Sequence, residues 1–278
     1  MLTKNESNKI LVAVDGSIIS EKAANIALQI AQAEHSKLLG LYIVDETLIL
    51  DPYADHSKEL GIRRETASRA TLIDWYQDLG SQALDGFREL CEEKDVSVET
   101  ELLLGDVPDL ILKNGDQVSA IALGRRGNGH MSSPDLLGEN FIQVAHNANI
   151  PLIVGGDEER QIKRILLFSD EVKIQDQAFR ETKRIQQKLH TDLVVGVQIE
   201  PQEKIKFEEL HLRLKAEDLK IENILSIKSV DELPDLLDQN KIDLLIMSKY
   251  KHSEFVSWFV GSPIDQLLRI TSLPVILA

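Results

Sequence analysis

The stretch "ILVAVDGS" (residues 10–17) decides the fold. Five consecutive apolar residues run directly into Asp15, Gly16 and Ser17. A short run of that kind, ended by turn residues, is a strand buried on both faces, as in a parallel sheet covered by helices. Downstream, "SEKAANIALQIAQAEH" (20–35) spaces its apolar residues for a helix, with Ser20 as the expected N-cap. "KLLGLYIVD" (37–45) then reads as a second buried strand. Strand, helix, strand in this order is a right-handed crossover unit.

The pattern restarts in the second half of the chain. "KRILLFSD" (163–170) repeats the first strand and sets Asp170 where Asp15 stood; "DQAFRETKRIQQKLH" and "TDLVVGVQIE" repeat the helix and the second strand. "DVPDLILKNGDQVSAIALGRR" (106–126) aligns with "DELPDLLDQNKIDLLIMSKY" (231–250), and in both copies a glycine (138, 261) precedes a proline (151, 274) by thirteen positions. Four landmarks in one order describe a duplication, with residues 1–156 and 162–278 as the two domains and the boundary near "GGDEERQ" (155–161). The first aspartates stand 155 positions apart and the Pro-Asp-Leu triplets 126, so the first copy carries about thirty extra residues. The segment 51–77 contains the excess and looks helical in its second half; a lid, a partner surface and a passive insertion all fit it.

Composition narrows the function. A chain of 278 residues with 43% apolar and 28% charged residues suits two globular domains. The net charge of −15 repels nucleic-acid backbones and anionic lipid, so neither is an expected partner. The N-terminus is polar and no apolar run reaches the roughly 18 residues of a membrane span, which makes the expected location cytoplasmic. The single cysteine, Cys91, lies in a helical pattern and excludes an intramolecular disulfide. The seven histidines show no ligand-like spacing, no metal site is expected, and no phosphate-loop lysine, nucleophile elbow or zinc helix occurs.

The strand-then-Asp start, the "GRRG" (124–127) after the fourth strand, and the Gly-helix-Pro-strand ending resemble the universal stress protein family over nearly the whole chain. The resemblance implies two tandem flavodoxin-like α/β domains, each a five-stranded parallel sheet between helices, packed as an intramolecular pseudo-dimer with the last strands "PLIV" and "PVIL" close together. It leaves open a homodimer of the chain and unknown protein partners. Some members of that family bind ATP through a pattern of Gly, two residues, Gly, nine residues, then Gly and Ser or Thr. Carried over, Asp15 and Ile43 meet the adenosine, and Gly124, Gly127 and Gly138 meet the phosphates of ATP, with Mg²⁺.

Two departures matter. Ten residues separate Gly127 from Gly138, and Glu139 occupies the Ser/Thr position. A carboxylate there repels a triphosphate; Arg125 and Arg126 are candidates to offset it, and Asn140 or Ser132 to replace the hydroxyl. Glu139 also suits the first turn of a helix, and the glycines also suit a tight turn. In the second copy Gly261-Ser262 is intact, but Ser248 and Lys251 replace the earlier glycines, which predicts a degenerate site; Lys249, Lys251 and His252 there suit another anion or a solvated loop. The expected function is a non-catalytic stress-response protein with weak or altered nucleotide binding in the first domain. The alternative is a scaffold whose sites have decayed.

Overall fold

The computed structural model describes residues 8–50, 69–126, 137–169, 176–198, 214, 219–249 and 263–278. The first half runs β1 (Lys9–Ala13), α1 (Ile18–Glu34), β2 (Lys37–Asp45), α2 (Glu46–Leu50), α3 (Arg69–Glu93), β3 (Val98–Gly105), α4 (Val107–Gly115), β4 (Ala120–Leu123), α5 (Glu139–Asn147) and β5 (Leu152–Val154). The second half repeats it with β6 (Arg164–Ser169), α6 (Asp176–Leu189), β7 (Asp192–Gln198), β8 (Ile221–Ile227), α7 (Leu233–Gln239), β9 (Leu244–Met247), α8 (Pro263–Ile270) and β10 (Val275–Leu277).

All ten strands form one sheet in the order β3-β2-β1-β4-β5-β10-β9-β6-β7-β8. Each half is parallel and doubly wound. At the centre β5 and β10 pair antiparallel, with Leu152 opposite Leu277 and Val154 opposite Val275. "PLIV" and "PVIL" therefore pair directly, and the pseudo-twofold passes between them.

The continuous apolar runs explain why both faces are covered. Alternate residues point to opposite faces of a strand. Ile10, Val12, Ala120, Ala122, Ile165, Leu167 and Ile276 enter one buried layer, beneath α1, α3 and α6. Leu11, Ile121, Leu123, Leu166, Phe168 and Leu277 enter the other, with Phe141 and Val144 of α5 and Leu267 of α8. Each layer draws on both halves, so the two repeats share their cores.

The segment read as a linker is a packing crossover. A Cβ on Gly155 would stand 2.8 Å from the Ala23 nitrogen, and one on Gly156 2.6 Å from the Ser272 oxygen. Only bare backbone passes between α1 and the chain leading into β10. Gln29 then pins the continuing strand, donating to the Arg160 carbonyl at 2.7 Å and accepting from the Ile162 N–H at 3.0 Å. Arg184 of α6 pairs with Glu34 of α1 and with Glu181, joining the halves on that face.

The insertion becomes in part the 25-residue α3, which begins at Arg69; residues 51–68 lie outside the described residues. Gly80 and Gly40 let α3 sit close on β2, since a Cβ at either would enter the ring of Tyr42 or Phe87. Trp75 and Tyr76 stack edge to face at 4.8 Å. Trp258 falls outside the described residues. Cys91 is fully buried, as a structural thiol should be, and burial pushes its pKa up to about 12.

Candidate functional site

In the order 3-2-1-4-5, β1 lies between β2 and β4 and the crossovers leave it in opposite directions. The crevice beyond the C-terminal ends of such strands is where doubly wound sheets place ligands. Of the first-half residues picked from sequence, Asp15, Ile43, Gly124 and Gly138 lie at that end of the sheet.

Asp15 follows β1 and organises the turn. Its Oδ1 accepts from the Ser17 N–H at 2.8 Å, an Asx turn made possible by Gly16 at φ +74°. Ser17, not Ser20, caps α1: its Oγ accepts from the Ser20 N–H at 3.1 Å, while the Ser20 hydroxyl donates back to the Ser17 carbonyl at 3.0 Å. The helix starts earlier than its apolar spacing suggests because the Asx turn already delivers the chain to Ser17. Ile43 sits level with Asp15, since Ala13 pairs with Leu41 two residues earlier on each strand. It is half-buried and packs on the core beside β3. Next to it, the Tyr42 phenol is raised above its ordinary pKa, first by burial and then by the Asp15 carboxylate.

Gly124 follows β4 and lies against the start of α1. A Cβ there would be 3.0 Å from Ile19 Cγ2, 3.1 Å from the Arg126 carbonyl and 3.3 Å from the Ser20 nitrogen. The glycine is thus used for close approach of backbone to backbone. Gly138 is the N-cap of α5, extended at φ −69° and ψ 145°, and supplies no side-chain cap. Its N–H donates to the Arg125 carbonyl at 2.9 Å, which ties the two ends of the glycine-bearing segment together. Glu139 and Asn140 occupy the exposed first turn of α5. Gly127 and Ser132 lie outside the described residues, as do Asp170, Lys251, His252, Gly261 and Ser262.

Arg125 does not serve the crevice. Its side chain is buried and reaches into the other half, where Nη1 donates to the carbonyls of Leu268 at 2.8 Å and Thr271 at 2.5 Å, and Nη2 to that of Leu273. Burial pulls its pKa down to about 10, against the opposing pull of the Asp157 carboxylate. Lys249, read from sequence as suiting an anion or a solvated loop, is its mirror: Nζ donates to the carbonyls of Ile150 at 2.7 Å and Ala148 at 3.3 Å, beyond α5. Of these acceptors Leu268 lies in the last turn of α8, and the others belong to the segments that lead from α8 into β10 and from α5 into β5. Sequence held a sign of this, because both copies keep a cation just after the fourth strand while their glycines differ.

In the second half Ser248 stands where Gly124 does in the first, and its Oγ is buried without a hydrogen-bond partner. Among the described residues no cluster of His, Cys, Asp or Glu can hold a metal, and no helix is long and apolar enough to cross a membrane.

Two linked doubly wound domains with a glycine-edged crevice at the strand switch point define a tandem flavodoxin-like protein. The model of the universal stress protein family matches residues 6–154, and the chain belongs to that family. It is 28% identical over 153 residues to the universal stress protein MJ0531 of Methanocaldococcus jannaschii, covering 54% of this chain and 83% of that one. Against the universal stress protein YxiE of Bacillus subtilis it is 26% identical, covering 53% and 97%. The fold of the whole chain resembles a universal stress protein of Archaeoglobus fulgidus, with a TM-score of 0.75 at 19% identity over 98% of this chain and 96% of that one.

Proposed function

We propose that this is a non-catalytic stress-response protein of the cytoplasm that binds ATP weakly, with Mg²⁺, in the first-half crevice. The observation that supports it is the placement of Asp15, Ile43, Gly124 and Gly138 at the C-terminal end of the first-half strands. Asp15 and Ile43 would face the adenosine. Gly138 opens α5 without a side-chain cap, so the first-turn N–H groups of Glu139 and Asn140 would be the donors a phosphate takes, with Gly124 close by at the end of β4. Gly127 and Asn140 complete the set by family pattern. The second half, with Ser248 in place of the glycine, would be degenerate.

Binding would be weak for an electrostatic reason. Arg125 is engaged across the domain junction, so its charge is not available at the crevice to oppose Glu139. Mg²⁺ on the phosphates would reduce this repulsion. The same observation favours a second reading, a scaffold with decayed sites that acts through protein partners. Calorimetric titration of the full chain with Mg-ATP decides between them. One site per chain is expected. Two sites would refute the degenerate second half, and no heat up to millimolar ATP would refute nucleotide binding in favour of the scaffold.

A further inference from the structure

The two cations that follow the fourth strands are arranged as a reciprocal clasp. Arg125 leaves β4 and ends on three carbonyls at and beyond the close of α8; Lys249 leaves β9 and ends on two carbonyls beyond α5. The partner atoms correspond as well: Thr271 and Leu273 precede Pro274 by the same three and one positions as Ala148 and Ile150 precede Pro151. Each half therefore grips the segment that leads from the last helix of the other half into its central strand, with the residue two places beyond its own fourth strand.

In the first half that residue is also the root of the candidate phosphate loop. The Arg125 carbonyl accepts from the Gly138 N–H, so the backbone at Arg125 fixes the start of α5. One residue thus has its side chain anchored in the second half and its main chain holding the first-half crevice in shape.

We propose that Arg125 is a positioning residue through which the second half sets the geometry of the first-half loop root. This role rests on contacts present without any ligand, while its consequence for affinity rests on the nucleotide reading above. It gives the degenerate second half a function: a fixed platform for the half that binds.

Amide exchange on the full chain without nucleotide tests the role. In Arg125→Met the Gly138 amide should exchange at least about tenfold faster, while β1 and β6 stay protected. Arg125→Lys should be intermediate, about threefold, because Lys249 shows that a lysine at the matching place donates to the carbonyls one and three positions before the proline. Arg164→Met is the control. It removes contacts to Asn240 and Glu222, made from β6, four strands along the sheet from β4, and should lower Tm without moving Gly138. Unchanged Gly138 exchange in Arg125→Met, or equal acceleration in Arg164→Met, overturns the proposal. If Arg125→Met does not fold, unchanged exchange in Arg125→Lys overturns it instead.

Mg-ATP titration of the same variants reads the consequence. A loop root competent only a tenth of the time raises the apparent Kd about tenfold. Accelerated exchange with unaltered affinity would break the link between root and ligand. If the unmodified chain binds no ATP, the nucleotide reading fails, and the exchange result still decides the role of Arg125.

Discussion

Gly156→Ala should destabilise the protein more than any surface substitution, and the structure sets the size of the effect. Gly156 is buried where the chain leaves β5 and passes the approach to β10. A Cβ there meets the Ser272 oxygen at 2.6 Å, the Pro274 nitrogen at 2.7 Å and the Leu273 carbonyl carbon at 2.9 Å. All three are backbone atoms, so no rotamer change relieves the contact. The Asp157 N–H also donates to the Ser272 oxygen at 2.8 Å, and a shift large enough to admit a methyl strains that bond. Overpacking costs about 1–3 kcal/mol, and this site belongs at the upper end; a lost backbone hydrogen bond adds up to about 1 kcal/mol. At about 2.1 cal/mol/K of unfolding entropy per residue, a loss of about 3–4 kcal/mol lowers Tm by about 5–7 °C if the chain unfolds as one unit. Differential scanning calorimetry measures both the shift and whether a single transition remains. Gly86→Ala supplies the opposite sign. Its Cβ would meet nothing within 4 Å on the exposed side of α3, so helix propensity alone should raise Tm by about 1–2 °C. A Gly156→Ala shift below about 1 °C, or a Gly86→Ala loss of similar size, would refute the packing argument.

Glu139→Ser should tighten Mg-ATP binding about fivefold in calorimetry, since it removes roughly 1 kcal/mol of repulsion at the phosphate end; unchanged affinity would place the phosphates elsewhere. Gly124→Ala should cost about 1–2 kcal/mol in denaturant unfolding, because Ile19 can yield but the Arg126 carbonyl cannot, and should weaken Mg-ATP binding as well. Cys91 should resist alkylation at pH 8 in the native protein and react once it is unfolded. Its folded pKa near 12 lies above the unfolded value, so the unfolded state loses the proton first. The stability it contributes is complete below about pH 9 and is lost as pH rises from there towards about 12, which urea midpoints across that window check.

The central strands were legible because burial on both faces leaves them apolar, as in β1, β4 and β9, whereas the edge strands β3 and β8 carry Glu99, Glu101, Glu222 and Asn223 and give no such run. "KLLGLYIVD" is β2 residue for residue, and the repeat of "ILVAVDGS" as "KRILLFSD" marks the second half of the sheet from sequence alone. Helix starts were less legible. The apolar spacing of α1 begins after Ser20, but the cap is fixed by the carboxylate of Asp15, which no periodicity records. The site was legible as a set of backbone positions, since a missing side chain is visible in sequence. Of the six positions read from sequence, Asp15, Ile43, Gly124, Gly138 and Asn140 lie at the C-terminal end of the first-half strands, and Gly127 lies outside the described residues. What a cation does was not legible, because a long side chain reaches groups distant in sequence. The Arg125 partners lie 143 to 148 positions away.

The engagement of Arg125 has a physical cause that bears on the whole "GRRG" stretch. The chain that turns from the last helix of each half into its central strand leaves backbone carbonyls outside helix and ladder, and burying them at a domain junction requires a donor. The antiparallel pairing of β5 and β10 brings the two segments to that junction, so both need covering at once. The residue two places beyond the fourth strand is the donor in each copy, arginine in one and lysine in the other. A cation at this position is therefore demanded by the tandem sheet whether or not a nucleotide binds. The glycines are not so demanded in both copies, since Ser248 stands where Gly124 does and the sheet still closes. The arginine therefore carries no information about a ligand, and in the first copy Gly124 is already required by its close approach to the Ser20 nitrogen and the Arg126 carbonyl.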